Sequence, residues 1–334
     1  NIGVILGGSG SGKTTILKKM GDVKKIIFDD KKPLISNFDW LEPKEATLVL
    51  TSMGLSSVPT WLRPFHTLSN GEQYRAILAY LVASAKDGEV ILLDEYTSVV
   101  DRDVAKAMSF ALQKYIRRVN KRIILASCHY DILEWLMPDW TCSPQKGGAL
   151  ERGEWLRQGR PQITLQVSRV EAETWDFFKK HHYLTEGVNK SCKFLLFEWN
   201  DKPIGIVAII NQPRKGCPNG FALSRTVILP DFQGIGLGVK LSEFACAIIK
   251  NEGGLCFTKT INPALGIYRN KSKIWRGTTF NGKISQHAKF DKKASARLQR
   301  ISYCHEYIGE SISGYEDLLL PINEMRSKNQ IKLF

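Results

Sequence analysis

The sequence predicts an α/β chain of two domains: a parallel-sheet nucleotide-binding domain, then an α+β domain with a glycine-rich turn of its own. Three observations carry that expectation. The chain opens on an apolar run, Ile2 to Leu6, that leads into Gly7-Gly8-Ser9-Gly10-Ser11-Gly12-Lys13-Thr14. A second apolar run, Val90 to Leu93, ends in the carboxylates Asp94 and Glu95. In the second half, Gln233-Gly234-Ile235-Gly236-Leu237-Gly238 stands between a strand pattern and a helical one. With 334 residues, 43% of them hydrophobic, the chain is long enough for two buried cores.

The first stretch predicts a buried strand, a glycine-rich loop and a helix starting near Lys13 and Thr14. That is the phosphate-binding loop pattern. Gly7, Gly10 and Gly12 let backbone N–H groups curl around phosphate oxygens, and the helix N-terminus favours the anion. Lys13 is placed to reach the β- and γ-phosphates of ATP. Thr14, followed by Thr15, opens the helix and supplies a Mg²⁺ ligand. A glycine-rich turn without a ligand is the alternative, but strand, loop and helix all fall where the motif needs them.

Further motifs follow in order. Leu68-Ser69-Asn70-Gly71-Glu72 precedes a helical pattern at Ile77, Leu78, Leu81 and Val82. At the end of the second apolar run, Asp94 is placed on the Mg²⁺ shell and Glu95 to polarise the attacking water. Ser98-Val99-Val100-Asp101 comes next, then a strand from Arg122 to Ala126 and Ser127-Cys128-His129. In this order the motifs resemble the ABC ATPase family. Leu68 to Glu72 matches its LSGGQ signature with Asn70 for glycine and Glu72 for glutamine. Ile91 to Glu95 matches its Walker B strand, Ser98 to Asp101 its D-loop, and His129 its switch histidine. The resemblance implies a homodimer in which Ser69 and Gly71 of one protomer act on the ATP held by the other.

Two departures stand out. No glutamine lies between Thr14 and the signature, where the family carries its Q-loop; Asp29, Asp30 and Asn37 are candidate stand-ins. The family's adenine-stacking aromatic lies upstream of the first strand, so a native N-terminal segment is expected to precede this chain. The segment between Thr14 and Leu68 is short, with loop and short helices expected over 33–64. That argues against the transport role for which relatives use a longer helical subdomain. The helix expected from Val104 to Val119 carries Ala105, Met108, Ala111, Leu112 and Ile116 as core. Its basic end (Lys114, Arg117, Arg118, Lys121, Arg122) reads as a solvated terminus complementing the dipole.

The expected domains are 1–150 for the ATPase, 151–162 for a linker, 163–280 for the second domain and 281–334 for a basic extension. The Pro/Gly-rich stretches at 143–148 and 157–161 mark the boundary. Net charge is +14 and uneven. Residues 1–150 hold 19 Lys and Arg against 16 Asp and Glu, and 151–334 hold 28 against 17, about +3 and +11. Such a split suits a polyanion on the second half, nucleic acid being the usual one. No run is long enough to span a membrane, and no secretory signal is visible. The seven scattered cysteines, with no C-x-x-C pair, read as reduced thiols of a cytoplasmic protein.

In the second half, Ile163 to Val167 alternates as a strand, and Glu171 to Tyr183 is amphipathic. Phe194 to Trp199 and Ile204 to Ile210 read as a hairpin across Asn200-Asp201-Lys202-Pro203. Phe221 to Leu229 is a strand leading to the glycine turn, a helix covers Val239 to Lys250, and a strand Leu255 to Ile261. Asn262-Pro263-Ala264-Leu265-Gly266-Ile267-Tyr268 follows. This arrangement resembles the GNAT acetyltransferases over about 163–280, with a loose match to their N-x-x-A-x-x-x-Y stretch. The resemblance implies acetyl-CoA or another acyl-CoA as cofactor. Its pyrophosphate would lie on the amides of Gln233, Gly234, Ile235, Gly236, Leu237 and Gly238, its acyl carbonyl near Val227 to Leu229, with Asn262 at the next helix. Tyr268 would protonate the leaving thiolate. The family often places a carboxylate base on the central strands, where this chain has Ser224 and Arg225; His181, His182 and Glu198 are the candidates instead. His182-Tyr183 also resembles a pair in the Mom-type DNA-modification branch.

From Lys283 to Arg300 the chain is rich in Lys and Arg, with Tyr303, His305, Tyr307 and Tyr315 beyond, a composition suited to backbone neutralisation and base stacking. A solvated tail packed on the second domain is the alternative. Together these features lead to the expectation of an ATP-dependent acyl-CoA acyltransferase acting on nucleic acid, a DNA base amine before a tRNA base, with an ABC clamp controlling access. A nucleotide-switched nucleic-acid-binding protein with a non-catalytic GNAT fold is the rival. A protein or small-molecule amine acceptor is a third option.

Overall fold

The computed structural model describes residues 1–153, 155, 161–182, 187–214, 216–284, 301–322 and 329–333. The chain divides into two compact units, the first comprising Asn1–Ile163 with Leu229–Gly236, the second Thr164–Ile228 with Leu237–Leu333. The segment Leu229–Gly236, which carries most of the second glycine turn, therefore packs as part of the first unit.

In the first unit the order is β1 (Ile2–Leu6), α1 (Lys13–Met20), α2 (Pro43–Ser52), α3 (Val58–Trp61), α4 (Asn70–Ser84) and β2 (Val90–Leu93). It continues with α5 (Arg102–Arg118), β3 (Arg122–Ser127), α6 (Leu133–Leu136), β4 (Trp140–Cys142) and β5 (Leu150–Arg152). The sheet runs β2-β3-β1-β4-β5, parallel until β4 turns back on β5. Every residue of β1 is buried, as a central parallel strand covered on both faces requires. Ile2, Val4 and Leu6 face a core shared with α2, α4 and α5, whereas Ile5 meets Leu17 of α1. On α5 the expected stripe Ala105, Met108, Ala111, Leu112 and Ile116 is buried. Its basic end is more than a solvated terminus: Arg117 pairs with Asp139, Arg118 donates to Ser52 Oγ, and Lys121 pairs with Asp87. Residues 143–148 form the turn that joins β4 to β5.

The second unit is built on a nine-stranded sheet. Its elements are β6 (Ile163–Val170), α7 (Trp175–Phe178), β7 (Lys193–Trp199), β8 (Lys202–Asn211), β9 (Gly220–Ile228), α8 (Leu237–Asn251), β10 (Leu255–Thr260) and α9 (Pro263–Lys271). β11 (Trp275–Gly277), β12 (Lys283–Ile284), β13 (Ile301–Tyr307) and β14 (Asn329–Leu333) complete it. The order is β11-β13-β10-β9-β8-β7-β6-β14, with β12 on β13. The expected hairpin is present, and Asn200 and Asp201 both take positive φ at its tip, as a tight two-residue turn demands. The amphipathic segment after β6 is not one helix: α7 spans four residues between two short 3₁₀ turns.

Two expectations are corrected here. Cys246 on α8 and Cys256 on β10 are joined as a disulfide, because the helix lies over that strand and brings the two buried sulfurs together. Of the aromatic group beyond Arg300, His305 and Tyr307 are buried in β13. The Tyr307 ring stands edge-on to Trp275, and Tyr315 is edge-on to Phe244. These side chains are packing, not a stacking surface. From residue 285 to 300 the basic stretch lies outside the described residues, as does Tyr183.

Candidate nucleotide and acyl-CoA sites

The P-loop leaves β1 at the carboxyl edge of the parallel strands and closes on α1. Gly10 and Gly12 take left-handed φ of 74° and 87°, with open space where a side chain would stand, so the backbone is free for a ligand to approach. Lys13 Nζ donates to the Gly8 carbonyl at 2.7 Å, which draws the ammonium back over the loop. Ser11 Oγ is buried with no hydrogen-bond partner in the structure. An orphaned hydroxyl, a glycine cradle and a lysine held over it fit the phosphates of ATP.

The segments that follow β2 and β3 meet this edge as well. Asp94 Oδ1 accepts from the Glu95 amide at 2.9 Å. Glu95 and Thr97 both hold positive φ, 51° and 68°, a conformation costly for residues with side chains. The surroundings enforce it. The Tyr96 amide donates to the Ala126 carbonyl at 2.8 Å, its buried hydroxyl pairs with Ser109, and Ser127 Oγ donates to its carbonyl. Ser127 Oγ also accepts from the His129 amide, and His129 Nδ1 lies 3.1 Å from Thr97 Oγ1. Burial, with the Arg102 guanidinium, holds the His129 pKa below the usual histidine value, so the ring is neutral at pH 7. Asp101 caps α5 by accepting from the Asp103 amide. Thr14 and Asp94 carry the hard oxygen donors Mg²⁺ prefers and would hold it there.

In the signature, Ser69 caps α4. Its hydroxyl accepts from the Glu72 amide, while the Glu72 carboxylate accepts from the Ser69 amide and from Thr60 Oγ1. The glutamate that departs from LSGGQ is thus a buried capping-box residue. The proposed Q-loop stand-ins form a local turn: Asn37 Oδ1 accepts from the Asp29 amide, and Asp30 pairs with His66. Sequence reasoning missed Gln145. Its side-chain amide lies 3.8 and 3.9 Å from where Cβ atoms on Gly8 and Gly7 would stand. It sits beyond β4, remote from the family's Q-loop position, and only the pairing of β4 with β1 brings it to the phosphate loop.

On the second sheet, β9 and β10 pair in parallel only from Gly220 to Leu223 against Leu255 to Thr258. Ser224 to Ile228 continue without β10, while β8 stays paired along their other edge. Val227, the residue expected at the acyl carbonyl, lies in this stretch of β9 unpaired with β10 and is buried. After Leu229, Gly234 and Gly236 take left-handed φ of 85° and 88°, and α8 starts at Leu237. Open space surrounds the Cβ position of Gly236, so a pyrophosphate can approach its backbone there, whereas Ile235 and Leu237 turn their side chains into the core. Gly238 lies in the first turn of α8.

Several expected ligands hold other partners. The Gln233 side-chain oxygen accepts from the Ser56 amide at 3.1 Å and from the Ser56 hydroxyl, and its own backbone amide donates to the Pro230 carbonyl. Asn262 Oδ1 caps α9 by accepting from the amides of Ala264 and Leu265. Tyr268 donates its hydroxyl to Glu243 Oε1 at 2.8 Å, and burial with the Glu243 charge raises its pKa. Glu243, buried on α8 and paired with Lys240, was not foreseen. The His182 ring stands edge-on to Trp175 at the end of the short turns, and Glu198 lies at the irregularity between β7 and β8.

Residues 130–269 match the model of the acetyltransferase (GNAT) family. Among solved structures, the cbiO1 subunit of the Clostridium perfringens ABC transporter complex cbiONQ is 20% identical, with TM-score 0.33, covering 42% of this chain and 72% of that one. The IAA acetyltransferase of Bacillus cereus is 15% identical with TM-score 0.32, covering 43% and 98%. The ribosomal-protein-S18-alanine N-acetyltransferase of Escherichia coli is 12% identical with TM-score 0.32, covering 45% and 96%. No curated protein matches the chain. Among the described residues no helix is long and apolar enough to cross a membrane. The chain thus carries a match to the GNAT acetyltransferase family over residues 130–269, and its structural neighbours include both ABC-type cassettes and GNAT acetyltransferases.

Proposed function

We propose that this chain is an ATP-dependent acyl-CoA acyltransferase whose acceptor is a nucleic acid, a DNA base amine first. The observation that carries the acyl-transfer half is the opened strand β9 followed by the glycine turn and α8. Unpaired backbone amides near Val227 would hold the acyl carbonyl, and the amides of 234–238 with the α8 dipole would hold the pyrophosphate. Tyr268, kept protonated, would give its proton to the departing CoA thiolate while the acceptor amine attacks the acyl carbon. His182 or Glu198 would take the amine proton. For the ATPase half, Lys13 and the P-loop amides bind the phosphates, Glu95 orients the water, and neutral His129 contacts the γ-phosphate. Thr14 and Asp94 would hold Mg²⁺, which neutralises charge on the phosphates when bound. Ser69 and Gly71 would complete the site of a second copy, making the working form a homodimer.

The nucleic-acid acceptor is supported by the concentration of positive charge in 151–334. ATP-driven closure would grip the polymer and free a base from its stack, since a stacked base hides its amine. A second reading, a nucleotide-switched binding protein, is favoured by one observation: the Tyr268 hydroxyl is already committed to Glu243. Labelled acetyl-CoA incubated with ATP and separate DNA, RNA and protein pools, then digestion and mass spectrometry, tests the proposal. Label in deoxynucleosides is the expected result. Label confined to protein, or to no pool, would overturn it.

A further inference from the structure

The glycine turn before α8 is gripped by the helix that carries the nucleotide signature. Arg75 lies one turn into α4, and its side chain is 2% exposed. It donates through Nη2 to Asp231 Oδ1 at 2.7 Å, and Asp231, at 43% exposed, is in the turn that leads from β9 to α8. Its Nε and Nη1 are buried without hydrogen-bond partners. A buried guanidinium with one counterion and two orphaned donors is costly, so Asp231 is tightly bound to its position. The same oxygen of Asp231 lies 3.0 Å from where a Cβ on Gly71 would stand. Gly71 is a signature residue, and any side chain or shift there meets Asp231 first.

The rest of the turn is held by the same unit. Ser56, just beyond α2, donates to the Gln233 side chain. Gly54 and Gly234 face each other, so close that a Cβ on Gly234 would lie 3.2 Å from both Gly54 Cα and Ala111 Cβ of α5. Glycine on both sides of this contact lets backbone meet backbone. The turn's shape is consequently set by α2, α4 and α5 of the nucleotide-binding unit, not by β9 and α8 alone.

We propose that Arg75 is a positioning residue for acyl-CoA. Through Asp231 it ties the geometry of the 230–236 turn to the N-terminus of α4, so nucleotide engagement at Ser69 and Gly71 sets acyl-CoA affinity. This rests on the reading of that turn as the acyl-CoA site. ATP bound at the signature fixes α4, α4 fixes Asp231, and a turn already ordered loses less entropy when the pyrophosphate binds. Coupling of this kind is reciprocal, so acyl-CoA must tighten nucleotide binding by the same factor.

Calorimetry on the full chain tests it, titrating acetyl-CoA with and without a non-hydrolysable ATP analogue and Mg²⁺. Wild type is expected to bind acetyl-CoA about fivefold or more tightly with the analogue present, and Asp231→Asn and Arg75→Gln to bind it equally in both states, within about twofold. Asp231 is on an exposed turn, so its variant keeps the test alive if the buried Arg75 variant fails to fold. Arg75→Lys, which keeps the charge, is expected to recover part of the shift; a merely structural role would alter both states alike. Equal affinity with and without the analogue in wild type, or a full shift retained in folded Asp231→Asn, overturns the coupling and leaves the acyl-CoA reading standing. No acetyl-CoA binding by wild type in either state overturns both.

Discussion

At Glu95 the carboxylate is presented by a backbone that no unstrained strand end would adopt, with φ of 51° there and 68° at Thr97. The structure holds this bend through Tyr96 and Ser127, so the side chain can change without releasing it. Glu95→Gln is expected to bind ATP but not hydrolyse it, trapping the closed dimer; light scattering with ATP should give twice the monomer mass, and a monomer would contradict the reading. Tyr268 invites a test of sign. Burial first, then the Glu243 charge, raises its pKa, so its acid form survives to high pH and transfer is lost only as pH climbs through that raised value. Glu243→Gln removes the second cause, and the alkaline limb of the pH–rate profile is expected to move to lower pH. An unmoved limb would take Tyr268 out of the proton transfer. Tyr268→Phe should slow transfer by roughly 10²–10⁴ with acetyl-CoA affinity kept.

At the scale of elements, α4 shows how one substitution in a motif is a structural choice. Glu72 in place of glutamine closes a capping box and satisfies Thr60. Glu72→Ala would strand both groups and is expected to cost about 1–3 kcal/mol, read as a lower urea midpoint; an unchanged midpoint would mean the box adds nothing. The turn before α8 makes the complementary case. Gly236→Asp brings a carboxylate and a left-handed strain to the pyrophosphate's approach, so acetyl-CoA binding should collapse while circular dichroism stays native. Binding at wild-type strength would reduce the glycine to a tight turn. Elements with a strong period were legible before any coordinates: the stripe on α5, the β7–β8 hairpin and the P-loop all stand where their residues put them. What was not legible depends on distant strands and helices meeting. Gln145 reaches the P-loop only because β4 lies beside β1, and Gln233 is taken by Ser56, far away in sequence. His305 and Tyr307 look like a stacking surface in sequence, but their strand is internal, and burial brings the His305 pKa down to about 4.

For the whole molecule, the proposed function requires charge and nucleotide chemistry to act together. If the excess of positive charge beyond residue 150 grips a polyanion, the full chain's affinity for duplex DNA should fall steeply with salt, each phosphate contact adding about 0.9 to the logarithmic slope. The GNAT match covers residues 130–269, and the ordered motifs lie on a five-stranded, mostly parallel sheet in the first unit. Neither fold names an acceptor, because acceptors are chosen by side chains around the opened strand and not by the scaffold. The claim that ATP and acyl transfer serve one reaction on nucleic acid is therefore tested by one assay. Labelled acetyl-CoA is given to wild type and to Lys13→Ala with duplex DNA, with and without ATP, and the digested nucleosides are counted. The account predicts label in the nucleosides of wild type with ATP, and little without ATP or in Lys13→Ala. Equal label in all of these, or none in any nucleoside, would contradict it.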